Sequence, residues 1–181
     1  MGIVLYYQKI TTHKNYKVMI KTILIATDFS LESLDILKKV LNKKDSQNDQ
    51  TQYNILFVTG YDMGDSITDL LFTTKHSVLK KLRSQEFADA CTIITNKYPH
   101  LINKINCDIF TGYFQRSFNN FLDALQVDEV YYSTSKSKTL KKNQFALHTY
   151  IAKNKIIEPI EVITKAPEFV PEKGRLAEIF L

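Results

Sequence analysis

Residues 23–37 read ILIATDFSLESLDIL, and the way this stretch divides decides the fold. Its first part is a short Ile-rich run that ends in Thr27 and Asp28, too short for a helix and composed like a strand buried on both faces. With its flank it gives a first core strand over IKTILIATD, residues 20–28. The second part changes period. Leu34, Leu37, Val40 and Leu41 fall at helical spacing, Ser30 stands where an N-cap belongs, and Glu32 suits the positive end of the helix dipole. Strand passing directly into helix is half of a βαβ unit.

The alternation continues outward. After the polar connection KKDSQNDQTQ (43–52), YNILFVTGYD (53–62) repeats the strand composition of the first unit. Residues 66–100 carry Val78, Leu79, Leu82, Phe87, Ala90, Cys91 and Ile94 in a long or broken helical stretch that stops before Pro99. In INKINCDIFTG (102–112), Ile105, Cys107 and Ile109 alternate with polar neighbours, the pattern of an outer strand. Phe118, Phe121, Leu122 and Leu125 then define a short amphipathic helix with Ser117 as its cap. DEVYYSTS (128–135) gives a fourth strand and NQFALHTYIAKN (143–154) a fourth core helix. IEPIEVIT (157–164) gives a fifth strand, with Pro159 near its start where a missing amide does least harm. Parallel neighbours need right-handed crossover helices. The order therefore predicts an α/β fold: a single-domain, open, twisted, five-stranded parallel sheet with helices on both faces.

At 181 residues, with 44% hydrophobic and 24% charged residues, the chain has the size and composition of one globular domain. Residues 1–18 form an extension, 19–166 the α/β domain, and 167–181 a tail that leaves through two prolines. Cys91 and Cys107 lack metal-ligand spacing and are expected to be reduced, buried thiols. No stretch approaches the ~18 apolar residues of a membrane span, and the start lacks the order of a secretory signal, so no membrane partner and a cytoplasmic location are expected. The formal charge of +5 comes from scattered lysines rather than an arginine-rich stripe, which argues against nucleic acid. His13, His76, His100 and His148 are isolated from one another, no nucleophile elbow is present, and neither a metal site nor a cofactor is expected.

Open parallel sheets bind ligands beyond the carboxyl ends of their strands, where the winding reverses. Those ends here are ATDFS, TGYD, TGYFQ and STSKSK. With these residues in view, the sequence resembles the universal stress protein family over roughly residues 20–165. ILIATDFSLESLDIL matches the family's first strand and turn, with Asp28 and Ser30 in the characteristic places. Aligning DEVYYSTSK with the family's fourth strand, and counting on without a gap, brings IEPIEVIT onto its last, proline-containing strand.

The resemblance implies the strand order 3-2-1-4-5 and a homodimer paired through the last strand. It also implies a role near adenine for the acid at Asp28, whose residue-level alternative is to stiffen the turn into helix one. The family's phosphate-gripping glycines fall on Ser133, Lys136 and Ala146, and its following Ser or Thr on Leu147. Side chains there oppose the close approach of backbone amides to a triphosphate. The expectation is a non-catalytic regulatory or binding protein, not an enzyme, that does not hold ATP in the usual way. The alternative is a nucleotide or small-anion sensor using Asp28, Ser30, Ser133, Ser135, Lys136 and Lys138, with Lys141 and Lys142 in the same loop.

Overall fold

Three buried strands lie at the centre of the molecule. In the computed structural model, which describes residues 19–64, 66, 71–134 and 140–164, the chain runs β1 (Ile20–Ala26), α1 (Leu34–Ser46), β2 (Gln52–Tyr61), α2 (Lys75–Leu82) and α3 (Gln85–Lys97). It continues with β3 (Ile102–Phe110), α4 (Gln115–Ala124), β4 (Glu129–Tyr132), β5 (Gln144–Phe145), α5 (His148–Ala152) and β6 (Pro159–Glu161). The sheet order is β3-β2-β1-β4-β6, all parallel, and the sixth strand, β5, pairs with β2 in the antiparallel sense. Winding reverses between β1 and β4. This is the predicted order with one strand added.

The alternation of side chains along the strands divides the core into two layers. On one face Ile23, Ile25, Tyr53, Ile55 and Phe57 pack against α1, α2 and α3, through Leu37, Leu41, Val78, Phe87 and Ile94. On the other, Leu24, Leu56, Val58 and Val130 meet α4 and α5 through Phe118, Leu122 and Ile151. Helices therefore cover both faces. Among the described residues β3 pairs with β2 alone and forms an edge, as its alternating pattern predicts.

Several local expectations change. Within the helical stretch after β2, the described residues include two separate helices, each with a capping serine or threonine: Thr74 Oγ1 accepts from Ser77 N at 3.1 Å and Ser84 Oγ from Phe87 N at 3.1 Å. Ser117 lies inside α4, whose N-cap position is Phe114. Ser30 caps a preliminary turn rather than α1 itself, because its Oγ accepts from Ser33 N at 3.3 Å and the helix begins only at Leu34. The helix placed over 143–154 is instead the short β5 followed by the five-residue α5. Both cysteines are free and half-buried rather than buried. The extension 1–18 and the tail 167–181 lie outside the described residues. Among the described residues no helix is long and apolar enough to cross a membrane.

Candidate functional site

The switch point between β1 and β4 is where this architecture places a ligand. β1 leaves the sheet at Thr27, whose N donates to Val58 O at 2.9 Å, and the chain turns sharply. Thr27 Oγ1 accepts from Phe29 N at 2.8 Å and Asp28 Oδ1 from Ser30 N at 2.9 Å, so two successive side chains lock the turn. Ser33 Oγ donates to Ser30 O at 2.7 Å and shares a hydrogen bond with Thr27 Oγ1 at 2.7 Å. At the apex, Phe29 has φ 61°, a left-handed conformation unfavourable for an aromatic residue. Burial holds it there. Phe29 is 3% exposed and meets the Phe87 ring edge-on at 5.5 Å.

Across the switch point, β4 ends at Tyr132, and Ser133 Oγ shares a hydrogen bond with Thr164 Oγ1 at 2.9 Å. Thr134 donates to Glu161. The first residues after β4 thus fasten to the last strand. Ser135, Lys136 and Lys138, expected to face an anion, lie outside the described residues.

The described residues resume at Leu140, and β5 joins the sheet beside β2. β3 occupies one edge of β2 as far as Gly60, so the pairs Gly60–Phe145 and Tyr61–Gln144 place β5 on the other edge, beyond the last β1 partner of β2 at Val58. β5 therefore lies where β1 would have continued. Asp62 N donates to Asn143 O at 2.8 Å, and Gln144 Nε2 reaches Thr59 Oγ1 at 3.3 Å. Asn143, with φ 67°, makes the tight turn into the strand. Lys141 Nζ donates to Leu82 O at 2.8 Å and Lys81 O at 3.2 Å, where the dipole of α2 favours a cation. One of the four loop lysines thus serves as a helix cap. Phe145 is half-buried against Phe110 and Tyr150.

Leu147 is 3% exposed and belongs to the α4/α5 core. A Cβ on Gly60 would overlap the Phe145 ring and lie 2.6 Å from Phe145 O, so β5 can approach β2 only because residue 60 has no side chain. Neither the composition of 133–147 nor its spacing announced the strand. The signal present in the sequence is Asn143, a residue that tolerates left-handed backbone, placed just before Gln-Phe.

An open cavity of about 530 Å³ lies elsewhere, at the end of β3, lined by residues that include Met63, Lys75, Phe110, Thr111 and Ser117. Lys75 Nζ pairs there with the carboxylate of Asp108, a strand residue that also accepts from Ile109 N at 2.5 Å. Nearby, Tyr113 Oη donates to Asp62 Oδ1 at 2.7 Å, and this bond, with that from Gly64 N, holds the Asp62 carboxyl below its ordinary range. Of the aromatic residues near the strand ends, Phe110 and Tyr131 are buried in the core, whereas Tyr113 and Phe114 are exposed. Among the described residues no cluster of three or more metal-ligating side chains occurs.

Comparison with known structures agrees with this geometry. A protein of the universal stress protein family from Burkholderia pseudomallei is similar over 78% of this chain and 95% of its own, with a TM-score of 0.50 and 6% identity. The chain has the universal stress protein fold. Universal stress protein UspA from Lactobacillus plantarum matches 81% of this chain and 99% of its own at 11% identity and TM-score 0.48. A universal stress protein in complex with cAMP matches 80% of this chain and 98% of its own at 15% identity and TM-score 0.44. No family model matches the sequence, and no curated protein matches it.

Proposed function

We propose that this chain is a non-catalytic regulatory or binding protein on the universal stress protein fold, working in the cytoplasm as a homodimer and not holding ATP in the usual way. One observation carries the reading: β5 pairs with β2 in the space beyond the end of β1, where a ligand at the switch point would lie against the sheet. The side chains at Ser133, Ala146 and Leu147 support it, because they stand where the family has glycine or a small hydroxyl residue. With Lys141 engaged by α2, a cation that would otherwise meet phosphates is already partnered.

Self-association through β6 follows from the same fold. Among the described residues β6 pairs with β4 only, and Ile160 and Ile163 are exposed beside it. An edge strand with apolar side chains is a template for another chain. Calorimetric titration with ATP, AMP and cAMP tests the main reading. No heat and no thermal shift at millimolar nucleotide is the expected result. Saturable binding abolished by Asp28→Ala would replace this reading with the alternative, a nucleotide or small-anion sensor built on Asp28, Ser30, Ser133 and the lysine loop.

A further inference from the structure

On the face opposite α4 and α5, away from the switch point, α3 lies over the edge strand β3 and encloses a cavity of about 310 Å³ lined by Arg83, Ala88, Cys91, Thr92, Thr95, Ile105 and Cys107. Both cysteines of the chain thus open into one small space, one from the middle of the helix and one from the strand beneath it. Arg83, exposed just before α3, directs Nη1 at Cys107 Sγ from 4.0 Å. Both thiols are free and half-buried, and both residues line the cavity.

We propose that Cys91 and Cys107 form a redox-responsive thiol pair, which a low-molecular-weight disulfide oxidises to an intramolecular bond tying α3 to β3. Cys107 acts first. Its thiolate, formed by losing a proton to solvent and stabilised by the Arg83 guanidinium, attacks one sulfur of the external disulfide and expels the other as a thiolate. Cys91 then loses its proton to solvent, its thiolate attacks Cys107 Sγ in the mixed disulfide and expels the second small thiolate, and each expelled thiolate takes up a proton. In sum, two protein thiols and one disulfide give one protein disulfide and two small thiols.

The cavity gives the mixed disulfide room before it is resolved, and β3, which among the described residues pairs with a strand on one side only, can adjust as the bond closes. Burial raises the pKa of both thiols, Cys91 to about 12, while the Arg83 hydrogen bond opposes the rise at Cys107, which agrees with the assigned order.

The test is to incubate the full chain with oxidised glutathione and read its intact mass and alkylatable thiols. The wild type is expected to lose two hydrogens, retain no glutathione and resist alkylation at both positions. Cys91→Ser, or Cys91→Ala if the serine variant does not fold, should keep one glutathione on Cys107, and Arg83→Gln should slow the wild-type reaction several-fold. The proposal is overturned if the wild type retains glutathione, if it cross-links between chains, or if the native chain leaves both thiols alkylatable while the urea-unfolded chain reacts.

Discussion

At the residue scale, Gly60 and Phe145 set how closely β5 approaches β2, because a side chain at residue 60 would overlap the Phe145 ring. Gly60→Ala should destabilise the chain by about 1–3 kcal/mol, as overpacking of a filled site does. Phe145→Ala should cost less in the Gly60→Ala background than alone, because removing the ring also relieves the clash that Gly60→Ala introduces. Denaturant unfolding of the two single variants and the double variant measures both. Additive losses would mean that the two residues do not meet.

A second prediction at this scale comes from the amino end of the sheet. Tyr53 Oη donates to Asp49 Oδ2 at 2.5 Å, and Tyr131 Oη donates to Glu129 Oε2 at 2.7 Å. Lys44 Nζ bridges the two groups, at 3.0 Å from both Tyr53 Oη and Glu129 Oε2. Burial first, and then the adjacent carboxylates, push both phenols well above their usual range. Above pH ~10 the unfolded chain therefore releases tyrosine protons that the folded chain retains. Stability from these groups is complete below that pH and is lost as pH rises towards the folded values. Stability measured from pH 8 to 11 should be level at first and then fall. Glu129→Gln should weaken the fall by removing the carboxylate beside Tyr131.

At the scale of elements, the segment from Lys141 to Ile151 is where sequence and structure diverge. Phe145, Leu147, Tyr150 and Ile151 are apolar without an intervening Gly or Pro, so periodicity alone assigns them to one helix. The left-handed turn at Asn143 and the pairing with β2 give the first of them to a strand, a long-range choice that a local pattern cannot carry. The long elements were legible. β1, α1, β2, β3 and α4 each bury enough of one face for their period to survive in the sequence.

At the candidate site, the turn-stiffening role of Asp28 was legible from residue type, whereas the use of Lys141 as a helix cap was not, since its partners are carbonyls 59 and 60 residues away. Lys141→Met should cost about 1 kcal/mol and weaken protection at the end of α2 in hydrogen exchange. Equal protection in both proteins would contradict the contact. Leu147→Ser, which installs the family's residue type, should lose at least the ~2–5 kcal/mol of a buried Leu→Ala change. Thermal unfolding reads this loss directly.

At the scale of the whole molecule, alternating strands and helices with right-handed crossovers give a parallel sheet, and its order β3-β2-β1-β4-β6 is the one the family resemblance implies, with β6 as the fifth strand. The antiparallel addition of β5 obeys no such rule. It places a strand beyond the end of β1 without altering the fold. Sedimentation at micromolar concentration should show a dimer, and Ile160→Lys on the β6 edge should shift it towards monomer. A wild-type monomer would remove β6 as an assembly surface.

The most direct measurement is nuclear Overhauser contact between the Gly60 α-protons and the Phe145 ring, recorded with and without millimolar ATP. A β5 that seals the switch point keeps these contacts unchanged at every nucleotide concentration. Their loss, together with saturable shifts at Asp28 and Ser133, would contradict the account.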